Sequence, residues 1–337
     1  MILAHVHSGP DAGPGVAGPV VVAAALLAAV VYGAAASRLR RRGDAWPQWR
    51  DASFTAGSAG LAWVAVGPLP GGAFTSHVAQ HLVVGMAAPL LFVLARPLTL
   101  ALRTLAPGSA RRGLLALARS RATGWLVFPP LAALLDVGGL WLLYRSGLFA
   151  AVQHHVWLHA VVQLHVLTAG LLFTFAVCQL DPVRRRWSLT VRGTTLLAVG
   201  AAHAVLAKSL YATAPPGTTF AAADLHTGAQ AMYYGGDLVE AGLAVVLAAS
   251  WYRATGRALA ARGRTQARRS WAAGAPAGRR RSRSAPGAVG TSRITVGRWM
   301  RHRVQRPAGI GPGGRSGGGR GGQHGVEPGG GFVGDRQ

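Results

Sequence analysis

Cysteine is nearly absent: Cys178 is the only one in 337 residues. No internal disulfide can form, no CxxC or CxxxC thiolate site exists, and any metal must rest mainly on nitrogen and oxygen ligands. Negative charge is also scarce, with 10 Asp and Glu against 35 Lys and Arg, a net charge of +25. The N-terminal stretch "MILAHVHSGPDAG" has no basic n-region, and the first apolar run reaches "SRLRRRG" without a small-residue cleavage motif. It therefore reads as a retained first helix and not as a removed signal peptide.

What is abundant is apolar sequence, 50% of the chain. High apolarity beside high charge conflicts within one soluble domain unless the two occupy different regions. They do. Residues 16–252 hold long apolar runs, whereas 253–337 carry 18 of the 34 arginines among Gly, Pro and Ser. The expectation is an all-α membrane protein with three parts: an extracytoplasmic segment 1–15, a transmembrane domain 16–252, and a disordered, Arg/Gly-rich cytoplasmic tail 253–337. The tail's charge suits anionic membrane lipid or nucleic acid without sequence specificity, and an Arg/Gly-rich, aromatic-poor segment is more often simply disordered.

Seven segments match the roughly 20 apolar residues that a membrane helix needs: 16–37, 53–70, 76–95, 123–144, 157–178, 192–212 and 229–251. The second is the weakest, diluted by Ser, Thr and Gly. The connections after spans one, three and five hold 5, 6 and 4 arginines, while the opposite connections hold only Arg145, with Lys208 near the outer end of span six. The positive-inside rule then puts the N-terminus outside and the tail inside a seven-helix bundle. Residues 96–120 place apolar residues between arginines and read either as a basic loop held by anionic lipid, the simpler reading, or as an amphipathic segment lying partly along the inner surface.

Depth sorts the 12 histidines. His5, His7, His77, His81, His154, His155, His159 and His226 fall at outer helix mouths. His165 and His203 lie deeper, at about 13 Å for a rise of 1.5 Å per residue. Only His302 and His324 fall on the inner side. Scattered core histidines would not segregate so completely. His77 and His81 are four apart, so one helix face presents both; His155 and His159 repeat the spacing, with Gln163 on the same stripe. Asp224 and His226 open the last span, and Asp237 and Glu240 lie inside it, where acids are costly unless they face a polar interior. Asp237, His165 and His203 share a depth and could meet. The blander readings are a water-facing side chain for His5, His7 and His154, a helix-packing polar residue for Asp136, core filling for Met86, and a partner for Lys208 in Asp237 or Glu240. Nitrogen-rich donors with few thiols suit copper(II) and zinc alike, and Met86 and Met232 are the available soft ligands.

"TSHVAQHLVVGMAAPLLFVLARPLTLALR", "HHVWLHAVVQLHVLTAGLLFTFAVCQLDP" and "DLHTGAQAMYYGGDLVE" together resemble the CtaG-type cytochrome c oxidase assembly factors associated with caa3 oxidases. The matching residues are His77, Gln80, His81, Ala88, Pro89, Arg96 and Pro97; then His155, His159, His165, Leu180, Asp181 and Pro182; then Asp224, His226 and Gly228. The last motif departs from many relatives, which carry a further Gln and a Met-Trp pair. The resemblance implies a non-enzymatic, seven-span protein of the cell inner membrane. Such a protein would help mature a haem–copper terminal oxidase, with an oxidase subunit and a copper donor protein as partners. Its implied cargo is copper; with His203 and Asp237 added from the depth reading above, the candidate ligands are His77, His81, His155, His159, His165, His203, Asp224, His226 and Asp237. Two other readings of the same residues are an intramembrane zinc hydrolase, with Asp237 or Glu240 as general base and Ser76 or Ser209 nearby, and a haem-binding electron carrier with histidine axial ligands.

Overall fold

The computed structural model describes residues 17–182 and 185–274. The expected extracytoplasmic segment 1–15 and residues 275–337 of the expected tail lie outside the described residues. All regular structure among the described residues is helical: α1 Ala17–Arg41, α2 Gln48–Val66, α3 Ala73–His81, a π-helix Leu82–Ala87, α4 Ala88–Ala95, α5 Pro97–Thr104, α6 Ser109–Ala118, α7 Arg121–Leu126, α8 Pro129–Arg145, α9 Leu148–His154, α10 Val156–Cys178, α11 Leu189–Ala212 and α12 Ala222–Gly274.

Five of these stretches are long and apolar enough to cross a membrane: α1, the run Ala73–Thr104, α10, α11 and α12. A sixth arises if α8 and α9, bent by 78° at their junction, form one span. The remaining expected span, the second at 53–70, corresponds to α2. Ser, Thr and Gly dilute it, and Arg50 and Asp51 sit in its first turn, so it falls short on apolarity. It is nonetheless part of the bundle: α1 and α4 pack against it, and Ser53 Oγ donates to Leu91 O at 2.7 Å. Tyr32 of α1 likewise donates to Ala95 O at 2.7 Å. Such interhelical hydrogen bonds serve where lipid tails are as apolar as the helix faces.

Two expected boundaries are corrected. Span four does not run unbroken from residue 123; α7 stops at Leu126 and α8 begins at Pro129. Pro129 and Pro130 cannot donate to an upstream helix, and proline disfavours helical backbone in the residue before it. The second correction concerns the tail, whose first part is helical: α12 continues past residue 252 to Gly274. "RALAARGRTQARRSWAA" is rich in Ala and Arg, both strong helix formers, and these turns simply extend a helix already nucleated in the bundle.

Three apolar clusters hold the bundle. One joins Phe74 and Val78 of α3 with Tyr144, Phe149, Leu206, Leu210 and Met232. A second joins Val93, Ala132, Phe173, Val177, Leu196 and Leu247. The third packs Tyr32, Ala36 and Leu39 of α1 with Trp46, Ala95 and Leu100. Leu100 ties α5 to that cluster, whereas α6 buries no residue at all, as its mix of arginine and leucine leads one to expect of a surface-lying helix.

Candidate functional site

Between the first two clusters lies a small cleft. Its walls are apolar except where five polar side chains converge: His81 at the end of α3, Asp136 of α8, Thr174 of α10, His203 of α11 and Glu240 of α12. Met86 of the π-helix also lines it. The His81 and His203 ring centroids are 6.2 Å apart. His203 is 3% exposed, and its Nδ1 lies 3.5 Å from Glu240 Oε1. That separation is too long for a strong hydrogen bond, so Oε1 keeps accepting capacity. Both ring nitrogens of His81 and Nε2 of His203 are buried without a hydrogen-bond partner. Unpartnered buried imidazole nitrogens are costly, and three of them share this cleft.

Glycine makes the room. A Cβ on Gly236 would lie 2.2 Å from His203 Cε1, and one on Gly200 would lie 2.3 Å from Glu240 Oε2. On the far wall the π-helix and α10 touch backbone to backbone, since a Cβ on Gly170 would meet Gly85 O at 2.0 Å. Among the described residues, no three His, Cys, Asp or Glu side chains stand together as a ready metal-ligand set.

The structure thus gathers some of the sequence candidates and disperses others. His81 and His203 meet. Asp237 is exposed, and Glu240, one turn further on, is the acid that enters the cleft. His165 is exposed too; its Nε2 lies 3.2 Å from Leu135 O on α8, so it does not join His203. His77 packs edge-on against Phe149 at 4.6 Å and Tyr144 at 5.8 Å. His155 does not continue a helical stripe with His159. It sits in extended backbone between α9 and α10, where its carbonyl accepts from His159 N at 3.0 Å. His226 stacks on Tyr211 at 4.1 Å.

Asp224 is a helix cap supplied from another helix. Its carboxylate accepts from Phe74 N at 2.9 Å, Thr75 N at 3.1 Å and Thr75 Oγ1 at 2.6 Å, which satisfies the exposed first amides of α3. These bonds pin the helix that carries His77 and His81 to the start of α12. Asp224→Ala should cost about 1–2 kcal/mol, the usual range for a lost cap, and lower the thermal midpoint in detergent. Asp224→Asn, which keeps one acceptor, should recover part of the loss.

Asp136 and Met86 are the cleft residues that sequence reasoning set aside as packing. Asp136 carried a usable signal, being an acid in the middle of an apolar helix; Met86 carried none. Met232, the other soft candidate, is fully buried in the first apolar cluster. Lys208 lies over the Tyr233 ring at 5.3 Å and needs neither Asp237 nor Glu240 as its partner. Ser76 donates to Pro70 O at 3.1 Å and Ser209 to Leu206 O at 2.6 Å, and neither lines the cleft.

Apolar helices long enough to span, enclosing a cleft with ionisable walls, define a multi-pass membrane protein with an internal polar site. The chain belongs to the cytochrome c oxidase caa3 assembly factor family, whose model matches residues 30–254. It is similar to uncharacterised proteins of Mycobacterium bovis and Mycobacterium tuberculosis, each 35% identical over 182 residues, and of Mycobacterium leprae, 33% identical over 183. In each case the match covers 51% of this chain and 28% of the relative, so the chain spans well under half the length of these curated relatives. No solved structure matches it.

Proposed function

We propose that this protein assists the maturation of a haem–copper terminal oxidase in the plasma membrane by holding copper as cargo in the cleft between His81 and His203. One observation carries this reading: two imidazoles 6.2 Å apart whose buried ring nitrogens lack hydrogen-bond partners. Imidazole is a good copper ligand, and a site short of a full ligand set suits loading and release better than a closed thiolate cage would. The role is one of assembly, without catalysis. The positive-inside rule orients the bundle with its histidine-bearing helix ends outward and the basic end of α12 in the cytoplasm. Copper would then come from a donor protein on the outer side and pass to an oxidase subunit.

The test is deletion of the gene, followed by membrane spectra and oxygen consumption with and without added copper. Deletion should remove caa3-type oxidase activity, and copper should restore part of it. A wild-type copy should complement fully, whereas a His81→Ala/His203→Ala copy present at equal abundance should leave activity lower by at least about tenfold, since losing even an outer-shell partner of a ligand costs about tenfold or more. Full complementation by the double variant would sink the proposal.

A further inference from the structure

Two imidazoles alone do not select among Cu(I), Cu(II) and Zn(II); the remaining donors around the cleft do. Met86 is five residues beyond His81, and on a regular α-helix that spacing turns the two side chains well apart. The helix is not regular there. Immediately after His81 it becomes a π-helix over Leu82–Ala87, in which hydrogen bonds run from residue i to i+5 and residues five apart approach alignment. Both His81 and Met86 consequently line the cleft. Gly85 leaves the His81 ring its space, since a Cβ there would lie 3.2 Å from Cε1 and Nδ1.

Glu240 has a different task. Its Oε1 faces His203 Nδ1 at 3.5 Å, the position from which a carboxylate orients an imidazole so that the opposite nitrogen meets a ligand. That opposite atom, Nε2, is the buried one without a partner. The cleft then offers three neutral donors, two imidazole nitrogens and one thioether, with Glu240 behind His203 and Asp136 elsewhere in the lining.

We infer that the cleft is a Cu(I) site, with His81, His203 and Met86 as ligands and Glu240 as the positioning residue for His203. Thioether selects the soft, monovalent ion. A divalent ion would call for a second acid, and Asp136 is the one that lines the cleft. The inference rests on the copper-cargo reading above and specifies the ion's oxidation state and its ligands.

The test is titration of the purified full-length protein in detergent with Cu(I) against a chromophoric Cu(I) chelator, and separately with Zn(II), with X-ray absorption of the copper-loaded protein. The wild type should retain Cu(I) with a sulfur scatterer. Met86→Leu, a substitution of similar volume, should lose the sulfur signal and weaken Cu(I) binding by about tenfold or more, and Glu240→Gln by a similar factor. Wild-type affinity in Met86→Leu, or Zn(II) binding that exceeds Cu(I) binding and depends on Asp136, would overturn the assignment. If oxidase assembly still depends on His81 and His203 under those outcomes, only the Cu(I) assignment falls. If assembly survives their joint removal, the cargo reading itself fails.

Discussion

Gly170→Ala should be among the most damaging single-methyl substitutions in this protein, costing about 3 kcal/mol or more, the upper end of the range for overpacking. Most core sites absorb an added methyl by shifting a neighbouring side chain. Here the neighbour is backbone: the new Cβ would lie 2.0 Å from Gly85 O and 2.9 Å from Gly85 C. Relief requires α10 and the π-helix to separate, and the π-helix forms one wall of the polar cleft. Stability and cargo binding should therefore be lost together. The sole cysteine supplies the measurement, because Cys178 is 2% exposed and a thiol-reactive fluorophore reaches it only on unfolding. Labelling on a temperature ramp should begin well below the wild-type midpoint. Gly113→Ala is the matched control, since an added Cβ there meets nothing within 4 Å. Equal midpoints for Gly170→Ala and wild type would show that the two helices do not approach so closely.

Asp181→Ala should cost about 2–3 kcal/mol, the scale of a helix cap combined with charge-assisted hydrogen bonds. Asp181 follows α10 in the Leu-Asp-Pro turn and is 2% exposed. It accepts from Thr99 N at 3.0 Å and from Thr99 Oγ1, capping α5 from a distant turn much as Asp224 caps α3. Burial raises its carboxyl above the usual carboxylate range; the Thr99 hydroxyl and amide, the Leu98 amide and the Arg96 charge oppose that without cancelling it. The sign follows directly. An acid whose native pKa exceeds its unfolded value binds more protons when folded. Its contribution is thus complete below the unfolded value of about 3.9 and declines as pH rises through the raised native value. Asp181→Asn keeps an acceptor oxygen for Thr99 and cannot ionise. Its midpoint should stay near that of the wild type at low pH and fall less as pH is raised from about 4 to 8. Parallel pH profiles for the two proteins would contradict this account.

These two aspartates also show which part of the sequence signal was about architecture. Asp181, Pro182, Arg96 and Pro97 read as family motif residues, and Asp224 read as a metal candidate. In the fold, Asp181 and Asp224 both bind helix N-termini far away in sequence, and Arg96 adopts left-handed backbone at φ 54° where α4 turns into α5. A carboxylate drawn to a remote amide pair gives no local pattern, so spacing alone could not separate a cap from a ligand.

The sequence by itself determined that this is an all-helical membrane protein, where most of its apolar helices fall, that no internal disulfide or paired-cysteine site can form, and which family it belongs to. Those conclusions rest on composition, hydropathy runs and motif order, which are properties of a linear chain. Tertiary structure alone decided which ionisable groups meet. It turned Glu240 inward and left Asp237 exposed, set His165 against Leu135 O, broke the His155–His159 stripe, and brought Met86 to the cleft of His81 through a π-helix. The physical reason is rotational: one residue turns a helix face by about 100° at 3.6 residues per turn, so a cap, a proline break or a π-turn that the sequence does not announce changes which side chain reaches the cleft.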